Sequence, residues 1–233
     1  MKRLVGLFLN DLISNTPILG KFARKVFHLM GKNNNLDSKD YWTNRYKNKR
    51  SSGLGSYGKL AKFKSEVINK FVHENRIESI IEFGSGDGNQ LKYAKYPNYL
   101  GFDVSPDVVS MCRKIFAGDS SKTFLVMDEY RGETAELGLS LDVIYHLVED
   151  EEYEQYMKNL FTASLRYVII YSSNMENCNE ISSSHVRHRA FTDWIEGTCD
   201  DWKLIRHVPN RHPPGRFLRI GSPSDFFTYQ KIR

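Results

Sequence analysis

The sequence predicts an α/β protein: a seven-stranded, mostly parallel sheet covered by helices, with an antiparallel last strand. Three observations predict it. From Ser79 onward, short apolar runs alternate with amphipathic runs of helical length, the pattern of parallel strands joined by crossover helices. The first run, Ser79 to Phe83, passes directly into Gly84-Ser85-Gly86-Asp87-Gly88, a bend with glycine at every second position. The last two apolar runs are separated by a Pro- and Gly-bearing loop with no helical pattern, so they form an antiparallel hairpin at the sheet edge.

Residues 1–31 read as one or two amphipathic helices. Leu4, Leu7, Phe8, Ile13, Ile18, Phe22, Val26, Phe27 and Met30 are apolar, while Lys2, Arg3, Lys21, Arg24 and Lys25 are basic. Such a segment either lies on an anionic membrane surface or packs on the domain or a partner subunit. The apolar start of the chain breaks at Asn10 and Asp11 with no small-residue cleavage site close behind, so it is not read as a secretion signal. Gly31 to Asn35 forms a linker, giving an extension over 1–35 and one domain over 36–233.

Asp37 to Arg50 predicts a helix that Ser38 can cap, with Tyr41, Trp42 and Tyr46 as an aromatic face. Ser51 to Gly58, rich in Gly and Ser, predicts a flexible loop. A long helix runs from about Lys59 to Glu74, with Leu60, Phe63, Val67, Ile68 and Phe71 at helical spacing. The strands are then Ser79–Phe83, Tyr99–Val104, Thr123–Met127, Leu141–His146, Tyr167–Tyr171, Trp202–Val208 and Phe226–Ile232. Helices are expected just after Gly88, from Pro106 to Phe116, from Glu149 to Ser164, and around Phe191 to Glu196.

The chain of 233 residues is long enough for one full core plus the extension. Apolar residues make up 40% and charged residues 26%, as in ordinary globular domains. No apolar run reaches the length of a transmembrane helix. Cys112, Cys178 and Cys199 are odd in number and contain no CxxC pair, so neither a disulfide framework nor a metal site is expected, and a reducing cytoplasm fits. A net charge of +5 is compatible with an anionic partner and equally with a solvated surface.

The glycine loop carries the strongest chemical signal. Without side chains, main chain passes close to a ligand at the carboxyl end of a strand. A dinucleotide fingerprint needs G-x-G-x-x-G; here the third glycine comes one residue early, after the acidic Glu82. One βα unit later, Gly101-Phe102-Asp103-Val104-Ser105 places a carboxylate about 20 residues beyond the loop, where a ribose diol is gripped. An ordinary turn and a nicotinamide site are the competing readings.

This pattern resembles the class I S-adenosylmethionine-dependent methyltransferases, from about Asp37 to the end. The resemblance implies a Rossmann-like fold and S-adenosylmethionine as cofactor. It further implies contacts from Glu82, Gly84, Ser85, Gly86, Asp87, Gly88 and Asn89, with Asp103 and Val104 at the ribose. Asp128 is a candidate for the adenine amino group, with Asp119 as its rival. The loop Ser52 to Tyr57 is a candidate lid, and Tyr41, Arg45 and Tyr46 are candidates for the methionine carboxylate.

Methyl transfer to a hydroxyl needs alignment and removal of a proton. His146, in Asp142-Val143-Ile144-Tyr145-His146, is the first candidate base, because histidine titrates near neutral pH. His185 and His188 in His185-Val186-Arg187-His188-Arg189 are the alternatives, with Tyr145, Arg187 and Arg189 as acceptor contacts. A structural histidine and a solvated basic turn are the competing readings. Arg211 to Arg216 adds a third basic stretch.

Tyr41-Trp42, Arg45-Tyr46, Ser52 to Gly58, the glycine loop and Asp142 to Leu147 together resemble bacterial methyltransferases associated with capsule or O-antigen synthesis. That likeness implies a glycan acceptor, methylated at a sugar hydroxyl or an attached phosphate or phosphoramidate. A small-molecule acceptor is the alternative. A nucleic-acid acceptor is disfavoured, because no Asn/Asp-Pro-Pro-aromatic motif and no basic stripe interleaved with aromatics is present.

Overall fold

In the computed structural model the described residues are 37–175, 185–214 and 221–232. The expectations for the N-terminal extension, for Cys178, and for Gly215 and Arg216 lie outside them. The first helix, α1 (Ser38–Lys47), is capped by Asp37, whose carboxylate accepts from the Asp40 N–H at 2.6 Å. Asp37 therefore takes the capping role expected of Ser38. The Ser38 hydroxyl instead donates to Glu149 and accepts from the Val148 N–H. Helix α2 (Gly58–Glu74) buries Leu60, Phe63, Ile68, Phe71 and Val72 along one stripe.

The sheet then builds outward from its centre. β1 (Ser79–Phe83) pairs in parallel with β2 (Asn98–Asp103), and β2 with β3 (Lys122–Val126). On its other side β1 pairs in parallel with β4 (Ala135–Leu141), and β4 with β5 (Ser164–Ser172). β7 (Asp225–Lys231) inserts antiparallel between β5 and the edge strand β6 (Trp202–Val208). The order is β3-β2-β1-β4-β5-β7-β6, the seven-stranded, mostly parallel sheet with an antiparallel last strand that the sequence predicts. The chain reverses its direction of travel between β1 and β4, and that switch point opens a crevice at the strands' carboxyl ends.

Strand periodicity divides the core. Ile80, Leu137, Leu139 and Ile169 face α2 and α3 (Pro106–Ile115), whereas Ile81, Phe83, Val168 and Ile170 face α4 (Asp150–Ala163) and α5 (Phe191–Thr198). Neighbours in sequence thus enter opposite layers, as a pleated strand requires. Each fully buried Ile, Leu or Phe contributes about 1.5–3 kcal/mol.

Two expected elements differ. β4 spans 135–141, not 141–146: Asp142 has φ +61° and ends the strand, and Ile144–His146 form a 3-10 turn. The segment after Gly88 is a single 3-10 turn, Gln90–Tyr93.

Candidate active site

β1 delivers Glu82 and Phe83 to the carboxyl edge of the sheet, where the chain turns. Gly84 has φ +89° and Gly86 φ +58°, a region that costs a side-chain-bearing residue about 1–2 kcal/mol. Space excludes a side chain as well. A Cβ on Gly84 would stand 2.5 Å from Val143 Cγ2, and one on Gly86 2.5 Å from Ser52 Oγ. The loop is wedged between the turn after β4 and the 51–57 segment.

Two carboxylates are buried beside it. Asp103, ending β2, accepts from the Gly86 N–H at 2.9 Å and the Ser105 N–H at 3.0 Å. Burial raises its pKa to about 6 despite those donors. Glu82 accepts from the Tyr99 hydroxyl at 2.6 Å. Burial raises it to about 7, opposed by Tyr99 and by the Lys64 ammonium. Two buried acids held this close to protonation form a site that favours a cation.

Asp87 turns outward to the 51–57 segment. Its carboxylate accepts from the Ser52 N–H at 2.8 Å and the Tyr57 hydroxyl at 2.7 Å, and its own N–H donates to Ser52 Oγ at 2.8 Å. The Asn89 amide donates to the Ser56 carbonyl at 2.7 Å, and Tyr46 shares a hydrogen bond with Ser52 at 2.9 Å. The segment expected as a lid thus rests on the glycine loop.

A cavity of about 210 Å³ opens above these groups. Glu82, Gly84, Ser85, Gly86, Asp103, Val104 and His146 all line it. Ser85 Oγ and Gln90 Oε1 are buried with no hydrogen-bond partner, and both residues line the cavity. Unpaired buried acceptors and donors beside main chain stripped of side chains fit a polar ligand. With the two acids, they fit the ribose, amino and sulfonium groups of S-adenosylmethionine.

His146 sits on the 3-10 turn after β4. Its Nδ1 lies 3.0 Å from the His185 carbonyl oxygen. A carbonyl only accepts, so Nδ1 carries the hydrogen and Nε2 is left as an acceptor. Among the described residues Nε2 has no hydrogen-bond partner. Trp42 meets the ring edge-on at 4.8 Å and Tyr145 lies tilted to it at 4.6 Å, while His185 lies parallel to it at 5.7 Å, with Tyr41 stacked on His185 at 4.2 Å. Burial lowers the His146 pKa to about 4.

The remaining sequence-derived candidates stand behind this lining or away from it. Burial also lowers the pKa of His185 and His188, and the His188 Nδ1 pairs with Ser173 Oγ at 2.6 Å. Arg187 and Arg189 both engage Asp150, at 2.9 and 2.6 Å. Arg189 also donates to the carbonyls of Leu147, Val148 and Glu149, and Arg187 to that of Val148. They brace the entry to α4. Arg45 holds the Ser51 carbonyl at 2.7 Å and reaches the Tyr41 hydroxyl at 3.4 Å. Tyr145 donates to Asp142 at 2.9 Å. Gly88 is packed against Phe116 and Cys112 on α3 and its C-terminus. Asp128 lies at the carboxyl end of β3, paired with Lys39 at 2.8 Å. Asp119 precedes β3 at the sheet's opposite, amino edge and pairs with Lys122, which removes it as a rival for adenine. Arg211 pairs with Glu66 at 2.9 Å and covers Phe63.

Lys64, Gln90, Trp42 and Asp142 line the cavity without being expected from the sequence. For Lys64 a signal existed. It stands four residues from Leu60 and four from Ile68, on the buried stripe of α2, where a lysine needs a partner.

The fold is that of class I S-adenosylmethionine-dependent methyltransferases. The chain is similar to magnesium protoporphyrin IX methyltransferase (ChlM) from Synechocystis PCC 6803 with bound SAH, at TM-score 0.61 and 14% identity over 83% of this chain and 97% of that one. N-methyltransferase NodS from Bradyrhizobium japonicum WM9 in complex with SAH superposes at TM-score 0.60 and 12% identity, over 75% of this chain and 88% of that one. The methyltransferase domain of bacterial CtHen1-C gives 0.56 and 16%, over 73% and 97%. No protein-family model and no curated protein sequence matches the chain.

Proposed function

We propose that this chain is an S-adenosylmethionine-dependent O-methyltransferase that acts on a surface-glycan precursor. One observation carries the reading: a single cavity joins the glycine loop, the buried Asp103 and the free edge of His146. When bound, S-adenosylmethionine supplies an electrophilic methyl group on a sulfonium. Main chain at 84–86 lies against its methionine part, and Asp103 accepts from the ribose hydroxyls. Glu82 and Asp103 offset its positive charge. Residues 36–233 make up this catalytic domain, and the basic, apolar extension over 1–35 brings it to membranes where such glycans are assembled.

His146 Nε2 takes the proton of the acceptor hydroxyl. A pKa near 4 keeps the ring neutral at physiological pH, so the base is always in its accepting form. Its weakness is no obstacle, because an alcohol oxygen that has gained a methyl group is strongly acidic. The engagement of Arg187 and Arg189 by Asp150 favours a sugar hydroxyl over a phosphate or phosphoramidate as acceptor. A small-molecule acceptor is the second reading, favoured by the likeness to ChlM and NodS, whose names give a porphyrin acceptor for the first and N-methyl transfer for the second.

The test uses methyl-labelled cofactor with capsule or O-antigen precursors and, in parallel, pooled small metabolites. Label in the polysaccharide fraction supports the leading reading, and label only in small molecules supports the second. Absence of calorimetric affinity for both S-adenosylmethionine and S-adenosylhomocysteine overturns both. The variant His146→Ala should keep cofactor affinity within about twofold while turnover falls by about 10²-fold or more.

A further inference from the structure

Asp142 is the residue on which the walls of the cavity converge. It follows the last residue of β4 at φ +61°, a conformation that L side chains rarely adopt. Such strain persists only where the surroundings over-determine it. Here they do. Asp142 Oδ2 accepts from the Lys64 ammonium of α2 at 2.8 Å, and Oδ1 accepts from the Tyr145 hydroxyl at 2.9 Å and the Ser224 hydroxyl before β7 at 3.1 Å. Its N–H donates to the Tyr171 carbonyl of β5 at 2.8 Å. Gly55 of the 51–57 segment approaches so closely that a Cβ there would stand 2.7 Å from Oδ2. The Lys64 side chain is only 1% exposed and that of Asp142 13%.

We propose that the Lys64–Asp142 ion pair is the positioning element of the catalytic turn, fixing residues 142–146 so that the His146 ring faces the cavity in one tautomer. Two charges this deep are costly to desolvate, so a buried ion pair is weak evidence of a gain in stability. What the pair adds is direction. Lys64 anchors Oδ2, which leaves Oδ1 to hold Tyr145, and Tyr145 is the residue immediately before His146. The Arg187 N–H closes the far side of the turn on the Tyr145 carbonyl at 2.8 Å. With Asp142 locked, the His185 carbonyl and Nδ1 of His146 stay in register and Nε2 stays turned to the acceptor.

This inference rests on the role of His146 proposed above, so its test reads the ring itself as well as turnover. The full chain is labelled with ¹⁵N-histidine, and the His146 ring nitrogens are followed in the wild type, in Asp142→Asn, and in the double variant Lys64→Met with Asp142→Asn. The double variant removes both charges together and keeps a folded protein if the single change does not. The expected result is one neutral Nδ1–H tautomer in the wild type, and mixed tautomers or exchange-broadened signals in the variants. In Asp142→Asn, kcat should also fall about tenfold or more. An unchanged His146 spectrum in a folded variant overturns the proposal, even if methyl transfer by the wild type stands. Variants that lose the single tautomer of the wild type, in a protein with no cofactor affinity, support the positioning role and overturn the enzymatic reading instead.

Discussion

Burial of Glu82 and Asp103 has a measurable consequence. Both carboxyls have folded-state pKa values above their ordinary ones, about 7 and about 6. A raised acid binds more protons folded than unfolded, so its contribution to stability is fully present below the unfolded pKa and is lost as pH rises through the folded one. The cofactor-free protein should therefore lose melting temperature between pH 5 and pH 8. A cationic ligand reverses this, because it favours the ionised acids. Affinity for S-adenosylmethionine should rise from pH 5.5 to pH 7.5, and more steeply than affinity for the uncharged thioether of S-adenosylhomocysteine. Parallel pH dependences for the two ligands would show that the acids do not sense the sulfonium. Glu82 and Asp103 were both legible in the sequence, because strand and loop fix where they emerge. Lys64 left a trace, a lysine on the apolar stripe of α2 that needs a partner. The identity of that partner was not legible, because Asp142 lies 78 positions away and no local pattern records the pairing.

Among the elements, the strands leading into the glycine loop were legible because apolar runs and glycines coincide there. β4 was not. Its residues Ala135-Glu136-Leu137-Gly138-Leu139-Ser140-Leu141 include a glycine and a serine on the face packed by α4, where Gly138 leaves room for Leu160 and for Ser164 at the end of that helix. The next residues, Val143-Ile144-Tyr145, carry the β-branched and aromatic character of a strand but form a turn, because Asp142 has already left extended geometry. Packing overrode propensity at both places. The 51–57 segment is the converse: its glycines and serines read as a flexible loop, yet Asp87 ties it down at both ends. Tyr57→Phe removes one of those ties, and burial with the Asp87 partner holds this hydroxyl up at about 12, so it is a donor throughout. Loss of that hydrogen bond should weaken the attachment by about 1 kcal/mol. Hydrogen exchange at residues 52–57 should then quicken about fivefold, while exchange in β1 and β4 is unaffected. Faster exchange spreading into the sheet would mean that Tyr57 supports the fold and not the lid alone.

For the whole molecule, the described residues that line the cavity run from Ser38 to Asn159, and the seven strands of the described residues lie between Ser79 and Lys231. Three of the lining residues, Ser38, Lys39 and Trp42, belong to α1, which is anchored by Ser38 to Glu149 at the start of α4. The extension is rich in apolar and basic residues, and on the proposed reading it adsorbs to anionic bilayers, where each lysine or arginine near the surface contributes about 1 kcal/mol. Five such residues within the first 25 positions would make that binding depend on lipid charge and on salt. A chain beginning at Asp37 should bind S-adenosylhomocysteine within about twofold of the full chain, and its melting temperature in the presence of ligand should rise by a similar margin. The full chain should sediment with vesicles containing phosphatidylglycerol, release from them as salt is raised, and ignore vesicles of phosphatidylcholine alone, whereas the shortened chain should remain in solution with both. Loss of ligand affinity on shortening would place part of the site in the extension. Equal sedimentation of the two chains would transfer the membrane contact to the domain itself.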